Sequence, residues 1–266
     1  MSRGVLVLLL TGCGAAHQAF ERAASQAGLE RAEVQGRGYR HALYSRPRQP
    51  MVHGPIHVYL TGDGRPYAHP GVASADPTPR QSVVLRLLAL DPAQVFVLGR
   101  PCYHGYADAP PCSQNLWTHA RYGEAVVASM AEALTQAVPL DHGLVLIGFS
   151  GGGALSMLLA ARVPEVVAVV TLAGNLDIDA WADVHGYTRL RRSLNPVREW
   201  PLSEGAVQLH YAGAQDRQVP PALSREAVRH TGGELALLPE TRHQTGWERH
   251  WAGILAELDR RLDRRP

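Results

Sequence analysis

Apolar positions along this chain follow two alternating patterns. Short unbroken runs, "IHVYL", "QVFVLG", "GLVLIG", "EVVAVVTLAG", "AVQLHYAG" and "ELALLPE", have the length and β-branched content of strands. Between them lie segments with helical spacing. These are "SVVLRLLALD", the stretch Leu116–Val138 (apolar at Val126, Val127, Met130, Leu134 and Val138), "ALSMLLAAR" stopped ahead of Pro164, "PALSREAVRHTGG" and "WERHWAGILAELDRRL". Nearer the start, "AAHQAFERAASQAG" reads as a short helix with Gly28 as its C-cap. "AEVQGRGYRHALYS" reads as two short strands around a Gly36–Gly38 turn. The run "EVVAVVTLAG" is continuously apolar, as expected of a strand covered on both faces. Strands alternating with helices predict an α/β fold, with a mostly parallel sheet and helices on both faces. In such sheets the chemistry lies at the carboxyl ends of the strands.

Composition narrows this picture. The 266 residues are 45% apolar, which suits one large domain with a substantial core. No Ser/Gly linker, repeat or charge block marks a second domain. Formal net charge is +2, from 26 basic residues (all arginine) against 24 acidic ones, so there is no electrostatic case for nucleic acid. No run approaches the roughly 18 apolar residues of a membrane-spanning helix.

The stretch with the clearest chemical content is "GFSGGGA", residues 148–154, set between "GLVLI" and a helical segment. A phosphate cradle of the Walker type would close on Gly-Lys-Ser/Thr, and the chain has no lysine. A nucleophile loop makes a different demand. A serine hydroxyl is weakly nucleophilic near neutral pH, so Ser150 needs a histidine base, and that imidazole needs a carboxylate to set its tautomer. Gly148-Phe149-Ser150-Gly151-Gly152 matches G-x-S-x-G between strand and helix, a context in which the acid and then the histidine follow the serine in the chain. Asp216 in "YAGAQDRQVP" and His243 in "LLPETRHQTGW" do so, each just after an apolar strand. Asp177 in "AGNLD" also follows a strand and is a rival acid. His230 and His250 are rival bases, but both fall within predicted helices. His53 and His57 have a spacing that invites a metal reading. With no nearby carboxylate or cysteine cluster, they are expected to be ordinary strand-start histidines, with no metal and no cofactor.

With this set of residues in order, the chain is similar to the α/β-hydrolases over roughly Arg31 to the C-terminus. The resemblance implies an eight-stranded, mostly parallel sheet and a small cap insertion near residues 177–205. It implies Ser150 as nucleophile, His243 as general base and acid, and Asp216 as orienting carboxylate. It also implies an oxyanion hole, with one donor from the N–H of Gly151 and the other from the loop after the third strand. That loop is "LTGDG", residues 60–64, so the N–H of Asp63 is the expected second donor, with Gly62 and Gly64 turning the backbone inward. The loop departs from the histidine-glycine form common in the family, and its aspartate side chain must point away from an oxyanion, where it could tether the loop. An ordinary D-G turn is the alternative. Phe149, Trp181, His185, Tyr187 and Arg189 are candidates for a substrate pocket, although aromatic residues there could equally pack the cap onto the sheet. The expected activity is hydrolysis of a small-molecule acyl ester. A binding protein on the same fold and an acyltransferase with the same residues are the alternatives.

The three cysteines divide into two contexts. Cys102 and Cys112 lie in the Pro- and Gly-rich loop "RPCYHGYADAPPCSQ", without the ligand spacing of a zinc site. They are read as a disulfide if the compartment is oxidising, and as two free thiols otherwise. Cys13 ends "MSRGVLVLLLTGC", where Arg3, a short apolar run and Leu10-Thr11-Gly12-Cys13 resemble the lipobox of bacterial lipoproteins. On that reading residues 1–12 are a signal peptide, 13–30 an anchor and helix, and 31–266 the catalytic domain. The protein would face the periplasm from a lipid anchor on Cys13, meeting a membrane surface. The segment Cys102–Cys112 and "LAGNLD" also resemble parts of uncharacterised bacterial lipoproteins of this fold. The alternative for the N-terminus is a first strand and helix with a dinucleotide fingerprint, whose third glycine falls on His17, and a cytoplasmic protein.

Overall fold

The computed structural model describes residues 15–47, 54–199 and 205–264. The proposed signal peptide, Cys13 and His53 lie outside the described residues, as do positions 200–204 of the expected cap.

The central sheet has eight strands. In chain order they are β1 (Glu30–Gln35), β2 (Arg40–Ser45), β3 (Ile56–Leu60), β6 (Val95–Leu98), β7 (Leu144–Phe149), β8 (Val166–Leu172), β9 (Val207–Gly213) and β10 (Glu234–Leu238). Two further short strands, β4 (Tyr67–His69) and β5 (Val72–Ala73), form a separate hairpin. The spatial order in the main sheet is β1-β2-β6-β3-β7-β8-β9-β10. Only the pairings β1 with β2 and β2 with β6 are antiparallel; the rest of the sheet is parallel.

The apolar runs of β3, β6, β7 and β8 are buried because helices cover both faces, whereas β10 at the sheet edge is mostly exposed. Leu144 and Leu146 of β7 point to the face packed by α3 (Glu124–Ala137), α4 (Gly151–Ala160) and α6 (Pro221–Thr231). Val145 and Ile147 point to the other face, packed by α1 (Ala15–Gln26), α2 (Val83–Leu88) and α7 (Glu248–Leu262). This alternation follows from the two-residue period of a strand. Helix α1 is part of that second layer: Phe20 is buried against Tyr44 and His104.

Two expectations change in the folded chain. The helix expected from Leu116 begins only at Glu124, after a 3-10 turn at Gln114–Leu116 and a series of turns. Long-range contacts claim those residues instead. The Trp117 indole donates to Ser74 O at 3.1 Å, and Arg121 and Tyr122 reach Asp63. Gly123 lies against Arg192 O, where a Cβ would come within 2.7 Å. His57, expected to have no carboxylate nearby, is paired through Nδ1 with Asp91 Oδ2 at 2.7 Å, a residue distant in sequence but adjacent in the fold. Among the described residues, no group of three or more histidines, cysteines or acids is placed to hold a metal ion.

Cys102 and Cys112 form a disulfide with a Cα–Cα distance of 5.6 Å. Closing a loop of ten residues' separation stabilises the fold by about 2–3 kcal/mol on a chain-entropy basis. Cys112→Ser is therefore expected to lower the thermal midpoint by roughly 5–10 °C. Calorimetry of both forms, with and without reductant, checks this: the shift should vanish when the wild type is reduced.

Candidate active site

Strand β7 ends at Phe149, and the chain turns directly into α4 through Ser150, which has φ +55° and ψ −119°. A non-glycine residue at positive φ is strained by an order of 1–3 kcal/mol and needs outside support. Three backbone hydrogen bonds supply it. Ser150 N donates to Leu172 O (2.9 Å), while Ser150 O accepts from Gly153 N (2.9 Å) and Asn175 N (3.1 Å). The turn is also too tight for side chains: a Cβ on Gly148 would lie 2.3 Å from Gly152 O, and one on Gly152 would lie 2.1 Å from Leu60 O. The glycines of "GFSGGGA" thus let three backbone segments meet under the serine.

Asp216 follows β9 and His243 follows β10, so both emerge on the same sheet edge as Ser150. His243 Nε2 is 3.1 Å from Ser150 Oγ, and His243 Nδ1 is 2.7 Å from Asp216 Oδ2. An ionised carboxylate can only accept, so Nδ1 carries the proton and Nε2 faces the serine with its lone pair. The other oxygen of Asp216 accepts from the N–H groups of Gln218 (2.8 Å) and Val219 (2.9 Å). His243 is buried at 7% exposure, its imidazole lies tilted beside Phe149 with ring centroids 5.0 Å apart, and its backbone carbonyl accepts from the Trp247 indole. This arrangement can draw a proton from Ser150 as its oxygen attacks an electrophile.

The rivals sit elsewhere. Asp177 caps α5 (Ile178–Val184) by accepting from the N–H groups of Asp179 and Ala180, and also accepts from the Asn195 amide. His230 is exposed and His250 half-buried, and they bond the backbone carbonyls of Glu226 and Pro239.

The loop after β3 lies beside the nucleophile: a Cβ on Gly62 would sit 3.5 Å from Ser150 Cβ. The Asp63 carboxylate turns away from the cleft into a cluster absent from the expectations drawn from sequence. It accepts from Arg100 Nη2 (2.9 Å), Arg121 Nη1 (2.9 Å) and the Tyr122 hydroxyl (2.7 Å). The Tyr103 hydroxyl adds a bond to Asp63 O at 3.0 Å. Loss of solvent alone would raise the Asp63 pKa, but Arg100 and Arg121 outweigh it and pull the group down to about 2. Burial and the same carboxylate push the Tyr122 phenol far above its usual range, so it stays a donor. A Cβ on Gly151 would lie 1.9 Å from Asp63 Oδ1, so only glycine lets this loop close onto the start of α4. Gly64, at φ +66°, turns the loop against Pro77. A lone acid in such a loop was the one sequence sign that buried cations must exist; it could not say which arginines.

Ser150 opens into a cleft of about 1070 Å³. Phe149, Trp181 and Tyr187 line it. His185 is not among the lining residues: it stacks on Tyr187 at 5.3 Å and contacts Gln218 O through Nε2 at 2.9 Å. Arg189 is likewise turned away, paired with Asp183. The expected cap therefore consists, among the described residues, of the short α5 and the irregular stretch that follows it.

Comparison with known proteins agrees with this architecture. The family model described as the alpha/beta hydrolase fold matches residues 75–254. No curated protein sequence matches the chain. Among solved structures, a membrane phospholipase A that is a bacterial virulence factor superposes with TM-score 0.62 at 16% identity, covering 92% of this chain and 90% of that one. An acetyl xylan esterase from Paenibacillus sp. R4 gives 0.60 at 13% identity, covering 95% and 96%. A serine hydrolase involved in carbazole degradation gives 0.55 at 13%, covering 89% and 100%. At these identities the likeness is one of fold.

Proposed function

Because the chain belongs to the α/β-hydrolase family, we propose that it is a serine hydrolase acting on a carboxylic ester. The observation that carries this is the chain of contacts from Ser150 Oγ through His243 to Asp216, at the strand ends where the cleft opens.

In this mechanism Ser150 Oγ bonds to the substrate carbonyl carbon while His243 Nε2 takes its proton. The carbonyl oxygen becomes negative. The N–H groups of Gly151 and Asp63 stabilise it; neither donates a backbone hydrogen bond among the described residues. As the carbon–oxygen bond to the alcohol breaks, His243 returns the proton to the departing oxygen, leaving an acyl-serine. Water then attacks the acyl carbon, passes a proton to His243, and the acid leaves as Ser150 regains its proton.

A fluorophosphonate probe should label the folded protein at Ser150, and Ser150→Ala should abolish labelling. Esters across a range of acyl lengths should be turned over, and His243→Ala should stop this. No labelling and no turnover by folded protein would instead mark a binding protein that keeps only the fold.

A further inference from the structure

The cleft that exposes Ser150 is lined by two chemically different sets of residues. Trp181, Tyr187, Leu190 and Phe149 are the large apolar or aromatic ones. Arg65, Arg80 and Arg121, with His69 and His119, are the basic ones. In a chain of 26 basic and 24 acidic residues, Asp63 is the one acidic residue lining this cleft among the described residues, and its carboxylate turns away into the arginine cluster. Its charge is already matched twice over, by Arg100 and Arg121, so that buried cluster carries a net positive charge.

The outer arginines make the bias sharper. Elsewhere some arginines have acidic partners, as in Arg86–Glu248, Arg162–Glu124, Arg198–Asp179 and Arg261–Glu234, while others, such as Arg46 and Arg242, bond only neutral oxygens. Among the described residues Arg65 and Arg80 have no acidic partner. Arg65 donates only to the carbonyl of Ala68, and both side chains are exposed. Two unneutralised guanidinium groups beside a cluster of net positive charge, in a concave low-dielectric surface, concentrate positive potential where substrate enters. A guanidinium matches carboxylate and phosphate oxygens in geometry as well as charge.

Resting on the hydrolase reading above, we propose that the substrate is an ester bearing an anionic group, a carboxylate or a phosphate, which Arg65 and Arg80 hold while its apolar part lies on the Trp181–Tyr187 wall. The two arginines act on binding, and the chemistry at Ser150 is the same for charged and neutral esters.

The test compares para-nitrophenyl hemisuccinate with the neutral para-nitrophenyl butyrate, in wild type and in the Arg65→Gln/Arg80→Gln double variant. The expected wild-type preference for the anionic ester is about tenfold in kcat/KM at low salt, falling toward parity between about 20 mM and about 500 mM NaCl. In the double variant the preference should disappear through KM, while turnover of the butyrate and the rate of fluorophosphonate labelling stay as in wild type. A wild-type preference at or below parity, or one that survives in the double variant, overturns the anionic-substrate inference and leaves the hydrolase reading standing. Loss of labelling and turnover with both esters in wild type overturns the two together. Vesicles of phosphatidylglycerol and of phosphatidylcholine form a further arm. Arginine-dependent binding to phosphatidylglycerol vesicles, without preference for the soluble anionic ester, would assign the wall to a lipid surface and sink the substrate proposal.

Discussion

Asp216→Asn is expected to leave the fold intact and slow ester turnover by about 10⁴-fold. The reason lies in the two sides of this carboxylate. Oδ1 accepts the N–H groups of Gln218 and Val219, and Oδ2 accepts Nδ1–H of His243. An asparagine must keep its carbonyl oxygen toward the two N–H donors, because turning the amide round would set donors against donors. Its NH2 group then faces Nδ1, which becomes an acceptor, and the ring proton moves to Nε2. A protonated Nε2 at 3.1 Å from Ser150 Oγ cannot take the serine proton. Single-turnover kinetics with near-ultraviolet circular dichroism would check this. A rate within a few-fold of wild type, in a variant that folds, would mean that Asp216 does not orient the base.

The second large effect is expected at Asp63. Arg100 and Arg121 are 2% and 6% exposed, and Asp63 is the shared counter-ion of both. Asp63→Asn removes the charge and strands two buried cations, which should destabilise the protein by about 3–5 kcal/mol. Its turnover should fall as well, because the loop carrying the proposed second oxyanion donor loses its tether. The pH dependence gives an independent check. In the folded protein the group is held at about 2, below its ordinary value of 3.8, so as pH falls the unfolded chain takes up the proton first. The contribution of this ionisation, about 2 kcal/mol, is fully present above about pH 4 and lost as pH falls toward 2. Urea unfolding of wild type and variant should therefore give a stability gap that narrows by about 2 kcal/mol as pH falls from about 4 toward 2. Parallel pH profiles would remove the ion cluster from the account.

Much of the architecture was legible because burial on both faces of a parallel sheet leaves long apolar runs, and helix-covered crossovers leave amphipathic ones. Strands β3, β6, β7, β8 and β9 could each be placed from such a run, and the mostly exposed edge strand β10 from its own short apolar run. The hairpin β4–β5 could not, since "YAH" and "VA" are too short and too exposed to carry a pattern. The start of α3 was not legible because Trp117, Arg121 and Tyr122 are drawn to Ser74 and Asp63, partners far away in the sequence.

For the candidate site, the sequence by itself determined which residue types had to meet. A serine in a glycine-walled turn is chemically idle without a base and an orienting acid, and only a few residues at strand ends could serve. Tertiary structure decided among them. Asp177 and Asp216 both follow strands, and it is the pairing of β9 with β10 that sets Asp216 against His243 while Asp177 is spent capping α5. It also decided where charge collects. Arg65, Arg80, Arg100 and Arg121 are ordinary members of a nearly neutral chain when read in order. Once folded, two of them flank one half-buried aspartate and two line the cleft without an acid. Electrostatic energy depends on distance and solvent exposure, neither of which is written in residue order.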